Sequence, residues 1–147
     1  QSLSELPGDP VTPIDFIYTR CETVCLSLGS SFQQMQAALA ADGADGRVQL
    51  LSVSFDPRDT AQDLAAHAAR LRADPARWRF VRPQHAGGIE RLLADFQVVV
   101  VPDGRGDFEH NAAFLVVDRG RLVRVFDLAQ QELALNYARH LAQGRAR

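Results

Sequence analysis

Apolar positions along this chain change their period several times, and each change marks an element. Ile14, Phe16, Ile17 and Tyr18 form a short β-branched and aromatic run, which predicts a first strand over about Pro13 to Tyr18. From Leu26 to about Ala41 the period lengthens. Leu28, Phe32, Met35 and Leu39 recur at spacings of three and four, which draws one apolar face along a helix, while Gln33, Gln34 and Gln36 fall elsewhere. The glycine-rich Asp42-Gly43-Ala44-Asp45-Gly46 stops that helix. Val48 to Phe55 is almost continuously apolar, the pattern of a strand buried on both faces in the middle of a sheet. Asp56-Pro57-Arg58-Asp59 turns the chain, and Thr60 with Asp63 three residues on predicts a capped helix running to about Arg72, with Leu64, Ala68 and Leu71 on one side.

Beyond the break at Asp74-Pro75 the elements shorten. Trp78 to Val81 reads as a third strand, Pro83 to Gly88 as a loop and Ile89 to Phe96 as a short helix. Val98 to Val101 is an apolar run ending at Pro102, and Asp103 to Glu109 is a polar loop. Asn111 to Asp118 and Arg121 to Asp127 are two strands joined by a tight turn at Arg119-Gly120. A last helix spans about Gln130 to Gln143, with Leu133, Leu135, Tyr137 and Leu141 as its apolar residues. Strands and helices alternate first, and a hairpin with a helix closes the chain. That order predicts an α/β thioredoxin-like sandwich, a mixed sheet flanked by helices, in one domain over residues 1–147 with 1–12 as an irregular lead-in.

Composition narrows the functions available. Net charge is −2 and the 16 basic residues are scattered, so neither nucleic acid nor an acidic membrane is an expected partner. No apolar run approaches the roughly 20 residues that span a bilayer. The first residue is Gln1 rather than Met, which reads as a processed or trimmed form; these residues do not say whether a signal peptide or an anchor preceded it.

The chemistry concentrates in two cysteines, Cys21 and Cys25, the only ones in the chain. They lie where the first strand hands over to the first helix. A helix start offers unpaired N–H groups and partial positive charge, which favours a thiolate, and the thiolate is both nucleophile and metal ligand. If the second half of the motif is helical, the sulfurs lie about one turn apart and can close a disulfide or grip one metal ion. Spacing alone does not separate these, and the plainest alternative is a pair of small buried apolar residues.

Among four histidines, His67 is read as a surface or half-buried helix residue, His85 as solvated and His140 as a helix-end cation. His110 ends a loop and precedes a strand. In a thioredoxin-like fold that entry lies beside the cysteine loop, where an imidazole completes a site with two sulfurs or merely hydrogen-bonds within the loop. Two thiolates and an imidazole are donors suited to copper.

Three motifs then bring a family into view. Asp15-Phe16-Ile17-Tyr18-Thr19-Arg20-Cys21-Glu22-Thr23-Val24-Cys25 resembles the signature of the Sco/SenC copper chaperones. Ser52 to Thr60 resembles the family's second motif, and Glu109-His110 with Phe114 to Asp118 and Gly120 to Val123 its third. The resemblance implies a thioredoxin-like, membrane-associated or periplasmic protein that binds copper, Cu(I) or Cu(II), through Cys21, Cys25 and His110. It also implies assistance to the dinuclear copper centre of cytochrome c oxidase, with the copper subunit of the oxidase as partner and a monomeric chain. Asp56 and Asp59 match acidic positions of the family, where they either tune the site or shape a turn and cap the next helix. Glu22 and Leu26 stand where the family usually has proline, and the usual N-terminal hairpin is short or absent. The reading from another class is a thiol–disulfide oxidoreductase in which Cys21, the more exposed thiolate, attacks a client disulfide and Cys25 resolves the mixed disulfide. A third is a thioredoxin-like adaptor with an inert disulfide.

Overall fold

In the computed structural model, which describes residues 10–21, 24–42, 47–82, 91, 94, 100–102, 108–110 and 113–145, the first strand is buried along its whole length. This strand, β1 (Thr12–Ile17), lies in the middle of a five-stranded sheet. It is followed by α1 (Val24–Ala41), β2 (Leu50–Ser54), α2 (Ala61–Arg70) and β3 (Trp78–Val81). Next come β4 (Val100–Pro102), β5 (Phe108–His110), β6 (Ala113–Asp118) and β7 (Arg121–Asp127). The chain closes with a single 3₁₀ turn (Leu128–Gln130) and α3 (Gln131–Arg145).

The main sheet runs in the order β3-β2-β1-β6-β7. β1 pairs parallel with β2 and antiparallel with β6, and β2 pairs parallel with β3. A parallel pair needs a crossover, and α1 and α2 supply the two crossovers that β1-β2 and β2-β3 require. The mixed sheet with flanking helices is the expected thioredoxin-like sandwich.

The sequence periods fix how it is filled. Leu28, Phe32, Met35 and Leu39 are all buried, so the face drawn by their spacing is the one α1 turns to the sheet. Phe32 stacks on Phe114 at 5.7 Å and meets Trp78 edge-on at 5.7 Å, tying α1 to β6 and β3. Trp78 buries its indole and satisfies it by donating Nε1–H to Ser52 Oγ at 3.0 Å. α2 lies beside α1: the Gln33 side chain donates to the Leu71 carbonyl and that of Gln36 to the Arg72 carbonyl. Ile14, Phe16, Leu51, Val53, Leu115 and Val117 point to the other face and form a second apolar cluster. The Arg119-Gly120 turn has φ of 54° and 77°, the doubly positive pair of a two-residue hairpin turn, and glycine takes the second position without strain.

Several expectations shift. β1 begins one residue before the predicted Pro13, and α1 begins two residues before Leu26, at Val24. Thr60 caps α2 through the predicted box with Asp63: the Asp63 N–H donates to Thr60 Oγ1 at 3.0 Å and the Thr60 N–H to Asp63 Oδ2 at 2.9 Å. Phe108 to His110 is a strand paired with Val100 to Pro102, where a polar loop was expected. Leu133 is 57% exposed instead of buried, and α3 seats Ala134, Leu135, Ala138 and Ala142. Small residues four apart let that helix approach the sheet closely. Arg91 and Ala94 are helical, in keeping with the short helix expected at 89–96; its other residues, the lead-in at 1–9 and the loop at 83–88 lie outside the described residues. Among the described residues no helix is long and apolar enough to cross a membrane.

Phe32→Ala is expected to cost about 3–5 kcal/mol in urea unfolding, because it empties the contact between α1, β3 and β6. Leu133→Ala should stay within about 0.5 kcal/mol of the parent.

Candidate functional site

The parallel strands β1 and β2 end at the same edge of the sheet, so the loops that follow them are neighbours. Such an edge is where open α/β sheets place ligands. The loop after β1 carries Thr19, Arg20 and Cys21; the loop after β2 carries Asp56, Arg58 and Asp59. The Phe55 N–H donates to the Ile17 carbonyl at 3.0 Å and joins the two at their root.

Two wholly buried carboxylates then fasten the loops together. Asp59 Oδ2 accepts from the Thr19 backbone N–H at 2.9 Å and from Ser54 Oγ at 2.7 Å, while Oδ1 accepts from Thr19 Oγ1 at 2.5 Å. Asp56 accepts from the Arg58 backbone N–H at 2.9 Å and takes the Arg58 guanidinium in a two-pronged grip, Nε at 3.0 Å and Nη2 at 2.9 Å. Arg20 Nη1 stands 3.5 Å from Asp59 and 3.7 Å from Asp56, so one guanidinium faces both carboxylates. Of the two roles offered to the acidic pair, Asp56 does shape the turn, since the Asp59 N–H donates to its carbonyl. Asp59 does not cap α2, a task that falls to Thr60. Instead it holds the cysteine loop, 40 residues back along the chain.

The electrostatics follow from this arrangement. Burial pushes the Asp56 carboxyl up, but the Arg58 hydrogen bonds and charge, with Arg20 behind them, hold it below its ordinary value of 3.8. His67 goes down. Burial disfavours the imidazolium, the nearby Arg70 charge disfavours it further, and Asp59 and Cys21 pull weakly the other way.

The structure describes the predicted site residues unevenly. Cys21 is buried, 5% exposed, in the cluster with Tyr18 and Phe55, and its N–H donates to the Tyr18 carbonyl at 3.2 Å. The expectation of an exposed attacking thiolate at Cys21 is therefore corrected: the apolar floor of the loop encloses it. Cys25 is the second residue of α1, at the helix start as expected. His110 is the last residue of β5, level with Val100. It stands three residues before β6, whose start the register Ile14↔Leu115 sets beside the C-terminal end of β1. The side chains of Cys25 and His110 lie outside the described residues, as do Glu22 and His85; among the described side chains no three metal-capable groups converge.

His67 was passed over in the sequence. It is buried, 8% exposed, with Arg70 Nη2 3.3 Å from its Nδ1. The signal was present: His67 sits three residues after Leu64 and four before Leu71, on the apolar stripe of α2.

A thioredoxin-like sheet with paired cysteines at its central strand-to-helix junction places this chain in the thioredoxin-like class. Within that class, residues 4–142 match the SCO1/SenC family. The chain is 32% identical over 119 residues to the SCO1 protein homolog of Bacillus subtilis (strain 168), which covers 79% of this chain and 60% of that protein's length. Its structure is similar to that of a SCO1/SenC family lipoprotein from Bacillus anthracis (TM-score 0.80, 24% identity, 92% of this chain and 83% of that one). It is also similar to Bradyrhizobium japonicum ScoI with copper bound (TM-score 0.72, 26% identity, 89% and 84%). The chain belongs to the SCO1/SenC family.

Asp59→Ala is expected to cost about 3–5 kcal/mol, since it strips the buried donors of Thr19 and Ser54 and leaves Arg20 short of a partner. Asp63→Ala, which removes half of an exposed cap, should cost about 1 kcal/mol. For Asp56 the sign is fixed by its lowered folded value. Its contribution is complete above the ordinary carboxylate range and fades as pH falls through that lowered value. The urea stability gap between the parent and Asp56→Asn should therefore be full at pH 7 and shrink below about pH 4.

Proposed function

We propose that this chain is a copper-binding chaperone of the Sco type. Its cargo is copper, Cu(I) or Cu(II), held by the thiolates of Cys21 and Cys25 and the imidazole of His110, and passed on to the dinuclear copper centre of cytochrome c oxidase. It works on the extracytoplasmic face of a membrane, as one domain. The observation that carries this reading is the pair of cysteines at the β1-to-α1 junction in a member of the SCO1/SenC family, one of whose solved relatives carries copper. The donor set supports it. Thiolates are soft ligands that select Cu(I), and an imidazole widens the set to Cu(II). A helix start beneath Cys25 favours the ionised sulfur that metal binding requires.

Copper-free thiol–disulfide exchange by Cys21 and Cys25 is the second reading, and the burial of Cys21 counts against it. An attacking thiolate must reach a client disulfide, whereas a copper ion is small enough to enter the loop. An inert adaptor would need neither an ionisable pair nor a loop fastened by buried charge.

The reduced protein is expected to bind one copper ion per chain, with a thiolate-to-copper charge-transfer band, and to lose that band on Cys21→Ser or Cys25→Ser. His110→Ala should weaken Cu(II) binding by more than about tenfold, beyond the usual loss for an outer-shell partner, and His140→Ala should leave it unchanged. Equal effects of the two histidine variants in a copper titration would remove His110 from the ligand set. Disulfide reduction that ignores copper and survives His110→Ala would favour the second reading.

A further inference from the structure

The outer margin of β3 opens on a cleft that has no part in the reading above. The cleft has a volume of about 370 Å³ and lies between β3 and α2. α2 gives it Ala61, Leu64, Ala65 and Ala68, one face of the helix, and the three alanines leave room that larger side chains would fill. β3 and the residue after it give it all of residues 78–82. Successive residues of a strand point to opposite faces, so a cleft lined by five in a row runs along the edge of the strand and not over one face.

Among the described residues β3 pairs with β2 alone, at the border of the sheet. The Leu50 N–H donates to the Arg77 carbonyl at 2.7 Å. In a parallel ladder alternate residues serve one neighbour, so Arg77, Arg79 and Val81 turn their backbone groups to β2, and Phe80 turns its N–H and C=O outward. The two faces beside this edge differ. The Phe80 ring meets that of His67 on α2, with centroids 5.8 Å apart, which sets Phe80 and Trp78 on the face the helix covers. Arg79 registers with Leu51 and, through it, with Ile14, and stands exposed on the opposite face. Arg82 stands exposed where β3 ends. Among the described residues neither guanidinium has an ion-pair partner. Residues 70–82 hold five arginines against one aspartate, in a chain whose net charge is −2.

We propose that this edge is a docking groove for an extended acidic peptide segment of another protein, added to β3 as a further strand. Its main chain bonds to the outward backbone of Phe80. Its side chains then alternate. Small apolar ones enter the cleft beneath α2, against Trp78 and Phe80, and carboxylates lie on the other face beside Arg79, with Arg82 at the end. Charge selects this occupant. A second copy of the chain would set arginine against arginine, and an anionic lipid would use the cleft and a guanidinium but leave the Phe80 amide unmatched. The inference does not rest on which metal the cysteines take.

Trp78 is the only tryptophan in the chain and lines the cleft, so its fluorescence reports occupancy. The probe is a blocked peptide of about eight residues that alternates glutamate and valine. One control alternates lysine and valine; another is the glutamate peptide with two adjacent central prolines, which break a strand. The whole chain should give a saturable change with the first peptide alone, and the Phe80 amide should then exchange slowly with deuterium. Arg79→Glu together with Arg82→Glu should weaken binding more than about tenfold through like-charge repulsion. Ala65→Leu, which fills the cleft, should weaken it with both arginines intact. Arg121→Glu, on the distant β7, should leave it unchanged. Equal binding of either control peptide, or binding untouched by the paired arginine variant, would overturn the inference. So would failure of the glutamate peptide to bind, whether the Trp78 signal then responds to anionic phospholipid vesicles, to a concentration-dependent dimer of the chain, or to neither.

Discussion

One buried carboxylate, that of Asp59, joins the two halves of this site. β1 and β2 are neighbours through the sheet, but nothing in strand pairing dictates the course of the loops beyond their ends. Asp59 does so by accepting three hydrogen bonds, two of them from Thr19, which lies two residues before Cys21. A carboxylate taken wholly out of water is costly unless its lone pairs are filled and a positive charge is near. Both conditions are met here, by Thr19, Ser54 and Arg20, so the geometry of the cysteine loop is enforced by the penalty for disturbing it. Asp56 and Arg58 make the adjoining turn rigid, and α2 starts from a capped end immediately afterwards.

The division of labour across the sheet follows from this arrangement. One face is given to bulk: Phe32, Trp78 and Phe114 lock α1 to the strands, and the alanines of α3 let that helix settle against β6 and β7. The other face reaches up to Tyr18, Phe55 and Cys21, so the sulfur sits on an apolar floor while the loop's polar atoms are drawn toward the carboxylates. A thiol in such a place is sheltered from bulk solvent and from large reagents, and its chemistry is governed by the few groups built around it.

Much of this was legible in the chain itself. The three-and-four spacing of Leu28, Phe32, Met35 and Leu39, the uninterrupted apolar run of β2, the Thr60-Asp63 cap and the Arg119-Gly120 turn are local signals, and each produced the element expected. What was not legible is what sequence separation hides. Asp59 looks like a helix cap beside Thr60, and only the folded chain returns it to Thr19. β5 is too short for any alternation to show, so its residues read as loop. In α3 the large Leu133 drew the apolar face toward itself, whereas packing at close range selected the alanines. His67 was on the right stripe of α2 but was discounted as polar, although a neighbouring arginine and an aromatic edge make its burial tolerable. The contents of the Cys21 surroundings depend on Tyr18, Phe55 and Phe80, which come from three separate strands or their ends.

The outermost strands of the main sheet have a consequence of another kind. β3 carries exposed Arg79, and β7 carries exposed Arg121 and Arg124, the latter lying over the rings of Phe126 and Tyr137 at 5.3 and 5.4 Å. Val123 and Val125 stand exposed on that same β7 margin, an inviting template for another chain's backbone. Two molecules meeting margin to margin would bring guanidinium against guanidinium before their amides could engage. Arginines on both outer strands thus put charge at the borders of the sheet, a feature that disfavours pairing between edges.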